Sequence, residues 1–180
     1  GAFHNQPFET KIPGVGQMRK MFTHSYDGVP LFDIYQMPTP TYRKPVEYNL
    51  ISGLPGHAHK QSTEQGESFL EALPGRTKRG YMIHNLHARL GPGKYEVTYE
   101  LGLSPSIKEN LELSGDTQAV ILEFGSACTK TISLSQLSKG RQKFTFECEV
   151  EKISKRQFRV YWSDKVPVAL YRMVYVKRVG

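Results

Sequence analysis

The pair His57-Ala-His59, followed by Glu64, places two imidazoles on alternate residues with a carboxylate a few positions on. On a strand that spacing sends both rings to one side, and the three donors form a possible cation set. Glycines and prolines around Leu54-Pro55-Gly56 argue instead for a loop with solvated histidines. Glu96, Glu100, Glu123 and Glu147 have the right type for paired acid–base work, but each falls on the polar phase of a separate apolar–polar run, where a wet sheet face carries such residues. The sequence holds no Gly-x-Ser-x-Gly elbow, no phosphate-cradling glycine loop and no Cys/His pair at a persuasive spacing. Catalysis by this chain is therefore not expected, and no catalytic residue is assigned. A third group is aromatic: Arg159 and Tyr161 alternate away from Phe158, Val160 and Trp162, and Tyr171 and Tyr175 alternate against Leu170, Val174 and Val176.

The elements that hold these residues read as strands. Lys94–Leu103 puts Tyr95, Val97, Tyr99, Leu101 and Leu103 on one face and Lys94, Glu96, Thr98 and Glu100 on the other, after the turn Gly91-Pro92-Gly93. Further runs are expected at Ser68–Leu73, Gly80–Leu90, Gln118–Phe124, Lys130–Leu134, Gln142–Val150, Gln157–Trp162 and Ala169–Lys177, with a helical turn only in Ser104–Leu113. Eight short strands split by Gly, Pro, Ser and Asn fit a two-sheet antiparallel β-sandwich, jelly-roll-like, because each sheet has one dry and one wet face. Residues 1–66 differ: seven prolines between positions 7 and 55 forbid long helices, and Val29–Tyr35 is the best strand there. This stretch is expected to be an irregular arm packing on a sandwich domain of residues 67–180.

Length allows one well-buried core. No window offers the roughly 18 apolar residues of a membrane span, and the N-terminus lacks the basic-then-apolar order of a signal peptide. The net charge of +7 admits an acidic partner. The 24 basic residues are dispersed, however, and Arg76-Thr-Lys-Arg79 and Lys152-Ile-Ser-Lys-Arg156 read as solvated loops, so nucleic acid is not the expected partner. Cys148 lies in phase with Phe144, Phe146 and Val150 and reads as a small buried hydrophobe. Cys128, in a turn, pairs with it only if their strands are neighbours, which leaves the compartment open.

The order Gly80-Tyr-Met-Ile-His84, Leu90-Gly-Pro-Gly-Lys-Tyr-Glu-Val-Thr-Tyr99, Gln142-Lys-Phe-Thr-Phe-Glu147, Gln157-Phe-Arg-Val-Tyr-Trp162 and Ala169-Leu-Tyr-Arg-Met-Val-Tyr175 resembles the galactose-binding-like and carbohydrate-binding-module sandwiches attached to bacterial polysaccharide-processing proteins. The resemblance covers residues 67–178 and implies a noncatalytic polysaccharide- or glycan-binding accessory module of a larger protein, without a cofactor. Sugars present flat C–H faces ringed by hydroxyls, so a site for them needs exposed rings beside amide, carboxylate and guanidinium groups. The expected contacts are Arg159, Tyr161, Tyr171 and Tyr175, with Tyr81, His84 and Asn85 at a strand edge; the alternative is that these tyrosines fill a sheet interface. Trp162 reads as core. Two other readings are an assembly domain docking a protein partner through the N-terminal arm, and a cupin-like metal-dependent enzyme using His57, His59 and Glu64.

Overall fold

In a computed structural model of the chain, residues 19–36, 44–52, 54–107 and 111–180 are described. They fall into two compact units divided between Pro40 and Thr41. In the first, β1 (Arg19–Tyr26) and β2 (Val29–Gln36) form an antiparallel hairpin across Asp27-Gly28, both with positive φ. The rest of residues 1–40 lies outside the described residues.

The second unit is a two-sheet antiparallel sandwich. One sheet has the order β10 (Thr129–Ser133), β9 (Gln118–Phe124), β12 (Ser154–Trp162), β7 (Gly80–Leu90) and β4 (Leu54–Pro55). The other has the order β11 (Gln142–Val150), β8 (Gly93–Leu103), β13 (Val168–Arg178), β6 (Ser68–Ala72) and β5 (His59–Ser62), with β3 (Val46–Asn49) also paired to β13. These are referred to below as the five-stranded and six-stranded sheets. The alternation read along residues 94–103 is realised: Tyr95, Val97, Tyr99 and Leu101 are buried between the sheets.

The sandwich also takes in residues ahead of position 67, where the sequence suggested its boundary. The strands β3, β4 and β5 and the 3-10 turn Leu50–Ser52 belong to it, and Leu50 is wholly buried in its core. The expected helical turn lies elsewhere as well: Ser104–Ile107 is a plain turn, residues 108–110 are not described, and the helix α1 is Leu134–Leu137. Its capping box from Ser133 to Gln136 supplies the N-terminal partners, and Leu134 and Leu137 anchor it in the core.

Aromatic rings join the two sheets. Phe158 of β12 stands 4.7 Å from Phe124 and 4.9 Å from Tyr48, ring centroid to centroid, and Tyr99 of β8 reaches across to donate its hydroxyl to the carbonyl of Glu123 at 2.7 Å. Burial pushes the Tyr99 phenol far above its ordinary pKa, so it stays a neutral donor. Trp162 is core, as read from its phase, with Nε1 donating to the Val166 carbonyl at 2.6 Å. Ser104 donates to the carboxylate of Glu71 inside the structure, which gives that buried acid a partner. Cys128 and Cys148 are joined in a disulfide, Cα atoms 5.5 Å apart. Cys148 is thus not the free hydrophobe its phase suggested. The β10 and β11 strands are edge strands of opposite sheets, so local alternation carries no sign that they meet.

Candidate functional site

The backbone of the five-stranded sheet is irregular where the sequence placed its edge residues. Phe158 pairs with Leu86 and Val160 with Ile83, so His84 and Asn85 both stand opposite Arg159; Tyr161 then pairs with Tyr81, leaving Met82 as a second extra residue. Two bulges in three positions re-aim the side chains of β7. Leu54 pairs with His84, and the amides of Gly56 and His57 donate to the carbonyls of Met82 and Tyr81 at 3.0 and 2.9 Å. Gly56 is required there, because a Cβ would come within 1.9 Å of the Tyr81 carbonyl oxygen.

On the outer face of this sheet Tyr81 and Tyr161 meet edge to face, ring centroids 5.5 Å apart. The Arg159 guanidinium lies 5.3 Å from the centre of the Tyr81 ring, and that of Arg79 lies 5.9 Å from Tyr161 while its Nε donates to the Tyr161 hydroxyl at 2.9 Å. Glu123 completes the group. Nε of Arg159 stands 2.8 Å from its Oε2, yet the N–H is not directed at that oxygen, and neither atom has a hydrogen-bond partner among the described residues. The contact is thus an ion pair held by charge. His84 is half-buried beside this cluster in sequence register; of Asn85 only the backbone is described.

Tyr171 and Tyr175 lie on the other sheet, on its outer face, and so do not extend a platform from Tyr161. Tyr171 is capped. Arg141 lays its guanidinium 3.8 Å from the ring centre, donates twice to Glu67 at 2.6 and 2.9 Å, and donates Nε to Glu100 at 2.6 Å. Burial pushes the Tyr171 phenol upward, against the pull of Arg141.

Tyr175 is half-buried, and among the described residues no other aromatic ring packs against it. Register places Glu47 of β3, Tyr175 of β13, Thr98 of β8 and Thr145 of β11 in one rank across the sheet. A groove of about 410 Å³ runs over this rank, lined by these four with Pro45, Glu96, Lys143 and Lys177. Lys143 Nζ is 5.2 Å from the Tyr175 ring centre, and the Thr98 and Thr145 hydroxyls share a hydrogen bond of 2.8 Å. Two carboxylates and two ammonium groups balance to zero charge. Sequence reasoning found the ring but not its neighbours: the polar phase of β8 marks an outward face, and only cross-strand register joins Thr98 to Thr145 and Glu47.

The metal alternative gains no geometry. His59 sits on β5 while His57 lies against Gly80, and among the described residues no group of three or more His, Cys, Asp or Glu side chains is placed to hold a metal ion. Of the four glutamates, Glu96 and Glu147 stand opposite each other on β8 and β11, Glu100 is tied to Arg141 on the same sheet, and Glu123 is on the other. Among the described residues no helix is long and apolar enough to cross a membrane.

No protein-family model matches the chain, and no curated protein matches it in sequence. Solved structures do match. The C-terminal family 6 carbohydrate-binding module of LamC, a marine laminarinase from Zobellia galactanivorans, aligns with a TM-score of 0.51 at 10% identity, over 75% of this chain and all of that one. The sandwich is similar in fold to a carbohydrate-binding module. Isomalto-dextranase of Arthrobacter globiformis T6, solved with panose, aligns with a TM-score of 0.50 at 12% identity over 80% of this chain and 25% of its own. At such identities the likeness shows the two-sheet antiparallel fold expected from the sequence, and the residues of the groove and of the aromatic cluster are this chain's own.

Proposed function

We propose that the sandwich is a noncatalytic carbohydrate-binding module, serving a larger protein, and that the groove over Tyr175 takes the glycan. The observation that carries this is the composition of the groove: the half-buried Tyr175 ring, with Lys143 beside it, for the C–H face of a pyranose, and Thr98, Thr145, Glu47, Glu96, Lys143 and Lys177 around it as donors and acceptors for hydroxyls. Its balanced charge suits a neutral sugar. A volume of about 410 Å³ accommodates one or two residues of a chain whose ends continue into solvent along the open sheet face. The likeness to a laminarinase module supports the reading at the level of fold. Tyr171, under Arg141, is not part of the groove lining.

A glycan array followed by calorimetric titration of the best neutral oligosaccharide tests the proposal. Tyr175→Ala is expected to weaken binding about tenfold, roughly 1.4 kcal/mol, with the fold retained because the ring is outside the core. No binding to any neutral glycan, or an unchanged affinity in Tyr175→Ala, would overturn it.

A further inference from the structure

The basic run Arg76-Thr-Lys-Arg79 is a solvated loop, as its composition suggests, but its backbone is braced. Between β6 and β7 the chain closes on itself: Arg76 and Thr77 donate their amides to the Leu73 carbonyl at 3.1 and 2.9 Å, and the Thr77 hydroxyl accepts the Leu73 amide at 3.0 Å. Thr77 is buried by this bracing, while Arg76, Lys78 and Arg79 stay exposed. Arg79 is held at one end by the Tyr161 hydroxyl, an uncharged partner, and its guanidinium forms no ion pair among the described residues. Beside it Arg159 is already matched by Glu123. Among these five side chains, Arg76, Lys78, Arg79 and Arg159 against Glu123 leave a net charge of +3.

We infer that this edge, Arg79 with Lys78 and Arg76 beside the Tyr81–Tyr161 pair, binds the carboxylate or sulfate groups of an acidic polysaccharide. A fixed guanidinium offers a planar fork to an oxyanion without the ordering cost of a free side chain. The braced loop sets two further cations near it, so successive charges of one chain can be met. The same chemistry also favours acidic polysaccharide over single-stranded nucleic acid. Nucleic acid of that kind gains much of its affinity from bases stacked on open rings, and here each ring already has a guanidinium over it and the other ring at its edge. The inference keeps the glycan reading of the module and adds a charge requirement on the sheet opposite the groove.

The test titrates the full chain with polygalacturonate, dextran sulfate, a neutral glucan of matched length and a single-stranded oligonucleotide, at about 50 and about 500 mM salt. Binding of at least one acidic polysaccharide is expected to fall steeply at the higher salt and to drop about tenfold in Arg79→Gln. Tyr161→Phe, which keeps the ring and removes only the hydroxyl that holds Arg79, is expected to lose several-fold. Tyr175→Ala should leave acidic binding intact while losing the neutral sugar, so failure of one site does not imitate failure of the other. Equal acidic affinity in Arg79→Gln and the parent would overturn the inference, as would tighter binding of the oligonucleotide than of either acidic polysaccharide.

Discussion

Arg141 shows how one side chain can remove a ring from the binding inventory. It bridges Glu67 before β6 and Glu100 of β8 across the face of Tyr171, so three elements are fixed by one guanidinium. The hydrogen bonds from Arg141 hold the Glu67 carboxyl below the usual carboxylate range and lift Arg141 further above its own. Since the folded pKa of Glu67 lies below the unfolded one, the pair contributes fully above the ordinary carboxylate value of about 4.3 and is lost as pH falls through the lowered folded value. Glu67 is 41% exposed, so solvent screening keeps the contribution below about 1 kcal/mol. Glu67→Gln should therefore be slightly less stable than the parent at neutral pH, and the denaturant midpoints of the two should converge as the pH is lowered into the acid range. A difference that persists undiminished in acid would mean that Glu67 acts through packing.

At the level of elements, the disulfide closes the open side of the sandwich. Cys128 leads into β10, an edge of one sheet, and Cys148 lies on β11, an edge of the other, 20 residues apart in sequence. A loop of that size loses enough unfolded-state freedom to be worth about 3 kcal/mol. Replacing both cysteines by serine should lower the unfolding free energy by roughly that amount, read from urea denaturation with and without reductant, and reductant should have no effect on the double variant. The link was not legible beforehand, whereas β9 was readable to the residue as Gln118–Phe124 and β11 as Gln142–Val150, because alternation marks each strand but not its neighbour. The same gap divided the candidate site. Arg159 and Tyr161 were correctly placed on the outward phase of β12, and Tyr175 on that of β13, yet only topology shows that β12 and β13 belong to different sheets. The short strands β3 and β5 escaped notice for another reason: four residues, one run beside Pro45 and the other the wholly polar His-Lys-Gln-Ser, give no period to detect.

For the molecule as a whole, these two short strands decide where the sandwich begins. Leu50 is wholly buried, Tyr48 packs on Phe158, and Glu47 and Pro45 wall the groove, so residues 45–62 contribute to both core and site. Residues Thr41–Gly180 form a compact unit of their own. A chain of residues 41–180 should therefore fold with the thermal midpoint of the sandwich in the full protein and keep its affinity for a neutral glycan. A chain of residues 67–180 should not: it lacks Leu50, Tyr48 and the β3 wall, and loss of one buried leucine alone costs about 2–5 kcal/mol, a large share of the stability of a domain this size. Thermal unfolding of the two fragments, followed by titration with the sugar bound by the intact chain, separates the cases. A stable, sugar-binding 67–180 fragment would show that the groove needs neither β3 nor the rings packed behind it.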